Sequence, residues 1–293
     1  MSATWKVHLT LPRAQAEQVC EALSDWIEPA STAVSLDEAT PPTHWHVDAY
    51  YNHQPDPAQI NASLAPLFDA LGETPVPVKI EALPDIDWIA KSLEGLKPIH
   101  AGRFFVHGAH DRDKIPVNTI PILVDAGQAF GTGHHPTTLG CLLYIDEICT
   151  RRPVKNPLDL GCGTGLLAIA LAKRIHRPVQ ASDIDPLAVK VARENARANG
   201  VQAFVRPVTA TGFGHPALSA QAPFDLIVAN ILARPLAALA PAMSRHLAPG
   251  GELVLSGILR HQERTVTATT RARGLRLVGR KPIKEWVTLH LQS

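Results

Sequence analysis

A glycine-rich turn set between an apolar strand and an apolar helix constrains this chain more than any other feature. Leu158-Asp159-Leu160 reads as the end of a strand, Gly161-Cys162-Gly163-Thr164-Gly165 as the turn, and residues 166–173 as a helix that follows at once. Glycines at such a turn let a ligand approach the backbone closely, and the helix start offers unpaired N–H groups. The segment therefore predicts a nucleotide-type pocket in an α/β fold. The glycines fall as GxGxG rather than GxGxxG, so the nicotinamide-dinucleotide fingerprint is not met.

The surrounding sequence repeats the same logic. From residue 120 onward strand-like and helix-like segments alternate, which predicts a mainly parallel sheet with helices on both faces. Residues 178–182 read as the second strand and deliver Asp183, where a carboxylate can accept hydrogen bonds from both ribose hydroxyls. Asp185-Pro186 then reads as an N-cap and first helical residue, with Gly200 closing that helix. Residues 224–229 form a nearly continuous apolar strand ending on Asn230. Ligands of open α/β sheets sit at carboxyl strand ends, so Asn230 is expected near the reacting centre, with a helix-capping role as the competing reading. Phe130-Gly131-Thr132-Gly133-His134-His135-Pro136-Thr137-Thr138 reads as a turn running into a helix from about Pro136. Thr138 falls in the first turn, where its hydroxyl and free N–H groups suit a carboxylate; a simple capping threonine is the alternative.

The front of the chain differs in charge and pattern. Residues 1–85 hold three basic side chains (Lys6, Arg13, Lys79) against twelve acidic ones, a balance of −9 within a chain whose formal charge is +1. Segments 5–10, 33–36, 45–51 and 76–83 read as strands, and 13–26 and 58–71 as helices, giving the βαββαβ order of a ferredoxin-like sandwich. Residues 86–119 read as a connector, with a short helix around 88–96, and 209–223 as a long loop. Three segments are thus expected: an acidic small domain (1–85), the connector (86–119) and an α/β domain (120–293). The four cysteines show no CxxC spacing and the histidines no HExxH pattern. No disulfide framework and no metal site are expected; His134 and His135, as neighbours on an extended chain, point apart. The longest purely apolar run, 166–172, is too short for a bilayer, and the N-terminus lacks the blocks of a signal peptide, so no membrane role and a cytoplasmic location are expected.

With these pieces in order the chain resembles the PrmA family, bacterial lysine methyltransferases of the large-subunit ribosomal protein numbered eleven. Beyond the elements above, the resemblance rests on Asp183-Ile184-Asp185, Asn230-Ile231-Leu232, Pro249-Gly250-Gly251, Leu255-Ser256-Gly257-Ile258 and Glu285-Trp286. It implies a Rossmann-like class I methyltransferase domain, S-adenosylmethionine as cofactor, and a small domain that presents the protein substrate. Carried over by position, the cofactor residues fall on Thr138, Gly161, Asp183 and Asn230, with Gly163 and Phe130 completing the expected set and Asn230 also the expected catalytic residue. The acceptors implied are lysine ε-amines, with the N-terminal α-amine as a second candidate, and a monomer is expected. Asn230-Ile231-Leu232-Ala233 lacks the aromatic residue that stacks a flipped base, which disfavours a nucleic-acid substrate. A different protein substrate, or a cofactor- or ribosome-binding role without turnover, stays open at this point.

Overall fold

The computed structural model describes residues 5–25, 31, 33–39, 43–82, 98–124 and 136–293. The chain divides into two compact units, 1–88 and 89–293.

In the first unit the order is β1 (Trp5–Pro12), α1 (Arg13–Asp25), β2 (Ala33–Glu38), β3 (His44–Tyr51), α2 (Pro57–Leu71) and β4 (Lys79–Ala82). The sheet order β2-β3-β1-β4, with antiparallel pairing throughout, is that of a ferredoxin-like sandwich. Alternation in β1 buries Val7, Leu9 and Leu11, and β3 answers with Val47, Ala49 and Tyr51. The helices close the core with Val19 and Leu23 from α1 and Ile60, Leu64 and Phe68 from α2. The predicted end of α2 is realised: Gly72 adopts φ 69° and its N–H returns to the last turn. Trp26, the last residue of the predicted first helix, lies outside the described residues.

The second unit begins with a small sheet, β5 (Ile99–Ala101), β6 (Phe104–His107) and β7 (Ile120–Leu123), with a 3-10 turn at Ala109–Lys114. Part of the segment read as connector therefore carries strands. All four residues of β6 are buried, so it shows no alternation in sequence. Residues 88–96, read as a short helix, lie outside the described residues.

Then follow α3 (Pro136–Arg151), β8 (Pro157–Leu160), α4 (Leu166–Ile175), β9 (Val179–Asp183), α5 (Pro186–Ala198), β10 (Val205–Thr209), α6 (Pro216–Gln221), β11 (Phe224–Asn230), α7 (Ala233–His246), β12 (Leu247–Leu259), a 3-10 turn (Arg260–Gln262), α8 (Glu263–Arg271), β13 (Arg276–Ile283) and β14 (Trp286–Gln292). The sheet runs β10-β9-β8-β11-β12-β14-β13, parallel from β10 to β12, with β14 antiparallel between β12 and β13. The loop expected over 209–223 contains α6, started by Pro216 and capped by the imidazole of His215, which accepts from Ala217 N–H at 3.1 Å. Strand order reverses between β8 and β11, which makes their carboxyl ends the crevice where such sheets bind ligands.

Candidate active site

The glycine turn takes the backbone shape its composition predicts. Gly161, Gly163 and Gly165 have φ of 74°, 51° and 79°, a region L side chains rarely enter. A Cβ on Gly161 would also overlap Ile231 Cγ2, which comes from the end of β11, so the two strand ends at the switch point approach as closely as glycine allows. The Gly161 and Cys162 N–H groups donate to Ser182 O at 2.8 and 2.9 Å, tying the turn to β9.

Asp183 ends β9, as expected, and its carboxylate is already oriented. Oδ2 accepts from Gly163 N–H at 2.8 Å and Oδ1 from Asp185 N–H at 3.0 Å. Each oxygen keeps a further lone pair, so the group can still receive the two hydroxyls of a ribose. Asp185 performs the capping predicted for it, accepting from Leu187 N–H at 2.8 Å, with Pro186 first in α5.

Asn230 and Thr138 lie 92 positions apart in sequence, and the fold joins them: Asn230 Nδ2 donates to Thr138 Oγ1 at 3.4 Å. Asn230 does not cap α7, whose N-cap is Leu232. Thr138 sits in the first turn of α3 and is buried. Beneath this pair a buried polar chain fixes the strand ends: Ser256 Oγ donates to Thr137 O at 3.2 Å and shares a 2.8 Å hydrogen bond with Thr288 Oγ1. Thr138, Gly161, Gly163, Asp183 and Asn230 thus belong to one edge of the sheet. Phe130, His134 and His135 lie outside the described residues. No cluster of metal-ligating side chains occurs among the described residues, and no described helix is long and apolar enough to cross a membrane.

Asp159, on the strand that leads into the glycine turn, adds a second carboxyl group beside Asp183. It is wholly buried in β8; Oδ2 accepts from Ala168 N–H at 2.9 Å and Oδ1 has no partner among the described residues. Burial, and secondarily the nearby Asp183 charge, pushes its carboxyl up to about 7, against the Ala168 hydrogen bond. An acid inside an otherwise apolar buried strand was the available signal. Cys162 in the same turn is pushed well above the usual thiol range by burial and by Asp159 and Asp183, which leaves it a neutral thiol rather than a nucleophile.

The positive-φ cradle, the paired lone pairs of Asp183 and the start of α4 suit an adenosine-bearing ligand, and the start of α3 suits a carboxylate at its other end. Residues 4–293 match the family model for ribosomal protein L11 methyltransferase (PrmA). The ribosomal protein L11 methyltransferase of Mesorhizobium japonicum is 48% identical over 290 residues, 98% of each chain. Its counterpart in Chelativorans sp. is 55% identical over 215 residues, 73% of this chain and 74% of that one. The crystal structure of a ribosomal protein L11 methylase from Lactobacillus delbrueckii subsp. bulgaricus, 29% identical, superposes with a TM-score of 0.60 over 67% of this chain and 98% of that chain. Family model, relatives and fold agree, and the chain belongs to the ribosomal protein L11 methyltransferase family, PrmA.

Proposed function

We propose that the chain transfers methyl groups from S-adenosylmethionine to lysine ε-amines of the large-subunit ribosomal protein L11. The observation that carries this reading is the meeting of Asn230 and Thr138 at the strand edge that also bears the Asp183–Gly163 pair. In this reading Asp183 holds the ribose, Gly161 and Gly163 let the adenosine lie against the backbone, and the N–H groups and hydroxyl at Thr138 receive the methionine carboxylate. When bound, S-adenosylmethionine supplies an electrophilic methyl on a sulfonium centre.

The remaining work falls to Asn230. Its Nδ2 is committed to Thr138, which turns the carbonyl oxygen into the acceptor for the incoming amine. A free lysine has a pKa near 10.4 and must lose a proton before it can attack. The Asn230 oxygen orients an N–H of the amine, and loss of water around the acceptor, together with the positive sulfonium beside it, would disfavour the ammonium form. Catalysis then rests on positioning and desolvation, with water taking the proton. The first unit presents the protein substrate.

The test is to incubate the purified chain and labelled S-adenosylmethionine with ribosomal proteins from a strain lacking this gene, and to identify labelled residues by mass spectrometry. Label on lysines of L11 is the expected result. Label confined to another protein keeps the chemistry and overturns the substrate. An absence of label with cofactor binding intact overturns turnover itself.

A further inference from the structure

The positive charge of the second unit is concentrated in one stretch. Residues 260–284 hold eight lysines and arginines and a single acid, Glu263. That acid is already paired, with Arg280 Nη2 at 2.6 Å, and Lys281 pairs with Glu147 at 2.6 Å. Arg260, Arg264, Arg271 and Arg273 are exposed and have no acidic partner among the described residues. Arg260, Arg264 and Arg271 recur at helical spacing along the 3-10 turn and α8, so they form one stripe spanning roughly 16 Å at 1.5 Å per residue. The stripe lines a groove of about 450 Å³ with Glu263, Thr267, Ala268 and Leu277 in its walls, the Glu263 carboxylate being held by Arg280. Thr267 Oγ1 is buried without a hydrogen-bond partner among the described residues.

The stripe also has a fixed relation to the site. Arg260 follows the carboxyl end of β12, and its N–H donates to Glu285 O at 2.9 Å, at the turn into β14. That is the edge of the sheet on which Asn230, paired in register with Ser256, is found.

From this we infer that the α8 face is a docking surface for the phosphate backbone of duplex RNA. Unpaired guanidinium groups along one helix face favour phosphate, which they bind with both charge and forked hydrogen bonds. An extended acidic peptide fits less well. β13, the sheet's edge strand, breaks register between Leu277 and Gly279 and carries Pro282, which has no N–H to give, so strand addition is spoiled. Single-stranded RNA fits less well too, because the stretch contains no Phe, Tyr or Trp on which bases could stack. Double-stranded RNA is held by shape and backbone contacts and needs no such platform. The choice of RNA over other polyanions rests on the function proposed above, whose substrate is a ribosomal protein.

The test uses the full chain and a fluorescent RNA hairpin of about 16 base pairs, with affinity measured by anisotropy across a salt series. Changing Arg260, Arg264 and Arg271 together to Gln should weaken binding at least about tenfold and lower the slope of log K against log salt by about 2.7, at about 0.9 per phosphate contact. The corresponding triple Lys variant should bind nearly as the parent does, which separates loss of charge from misfolding. Methylation of free L11 should be unchanged in the Gln variant, so failure of the RNA proposal and failure of the substrate reading give different results. An unchanged affinity and slope in the Gln variant would overturn the proposal. Equal competition by polyglutamate would overturn it in favour of an acidic protein partner.

Discussion

Adding one methyl group at Gly161 tests the close approach of β8 and β11 directly. Gly161→Ala would force a side chain into φ 74° and against Ile231 Cγ2. The left-handed backbone alone costs about 1–2 kcal/mol. Cofactor affinity should fall at least about tenfold, roughly 1.4 kcal/mol, and melting temperature should fall with it. Adding Ile231→Ala removes the overlapping carbon but not the backbone cost, so the double variant should recover part of the loss in calorimetry. Strict additivity would show that the two residues do not meet. Asn230→Ala should lower kcat by about 100-fold, the scale of a misplaced reacting group, with a smaller change in cofactor Kd; equal losses in both would make Asn230 a cofactor ligand instead. Asp159 makes a pH prediction. Its carboxyl is raised from 3.8 to about 7 in the folded chain, so between those values the native state binds more protons than the unfolded one. The stability it contributes is full below pH 4, declines as pH rises toward 7, and is level above. Asp159→Asn should therefore gain stability relative to the parent at pH 7.5 compared with pH 4.5, with a ceiling of about 1.4 kcal/mol per pKa unit. A pH-independent difference in urea midpoints would contradict this.

Among the elements, α3 is held at both ends, and its far end is open to test. Thr138 belongs to its first turn, while Arg151, in its last turn, and Arg152, just beyond it, reach Glu252 of β12. His290 of β14 closes the cluster at 2.5 Å from Glu252, which is only 2% exposed. Burial alone would raise the Glu252 carboxyl, but hydrogen bonds from Arg152 and His290 outweigh it and hold the group below its usual range. The stability it supplies is present at neutral pH and is lost as pH falls through that lowered value. Glu252→Ala strands three cationic or polar partners and should cost about 3–5 kcal/mol in chemical denaturation; a loss under about 1 kcal/mol would show that the cluster is not a clamp. Legibility in the sequence followed the source of each element's stability. β11 could be read because both its faces are buried, α5 because Asp185, Pro186 and Gly200 punctuate it, and α2 because Gly72 ends it. β6 could not be read, since four buried residues in a row carry no period, and α6 has six residues and a histidine cap that is not a usual start signal. At the site, residues with their own local signal were legible: Gly161, Gly163 and Asp183. Ile231 against Gly161, and Ser256 against Thr288, were not, because those contacts join strands far apart in sequence.

For the whole molecule, the two units have separate cores. Val7, Leu9, Val47, Ile60 and Phe68 belong to one, while the clusters around Leu142, Ile169 and Val228 and around Ile227, Leu255 and Leu289 both lie within 89–293. The second unit has the size of a domain that folds alone, and every described residue of the proposed cofactor site belongs to it. A chain starting at Ile89 should therefore fold cooperatively and bind S-adenosylmethionine within about threefold of the parent, roughly 0.65 kcal/mol. The same chain should lose methylation of L11 by at least about 100-fold, because the acidic first unit, with a balance of −9 over residues 1–85, is proposed to present the protein. That loss should appear in kcat/KM rather than in cofactor Kd, since removing a presenting domain raises the cost of bringing the acceptor to Asn230 and leaves the cofactor's own contacts in place. If the shortened chain methylates L11 at the parent's rate, recognition resides in the second unit, and the charge difference between the two units has another cause. If it binds no cofactor although folded, the first unit completes the cofactor site, and the assignment of Thr138, Asp183 and Asn230 as a self-sufficient set is wrong.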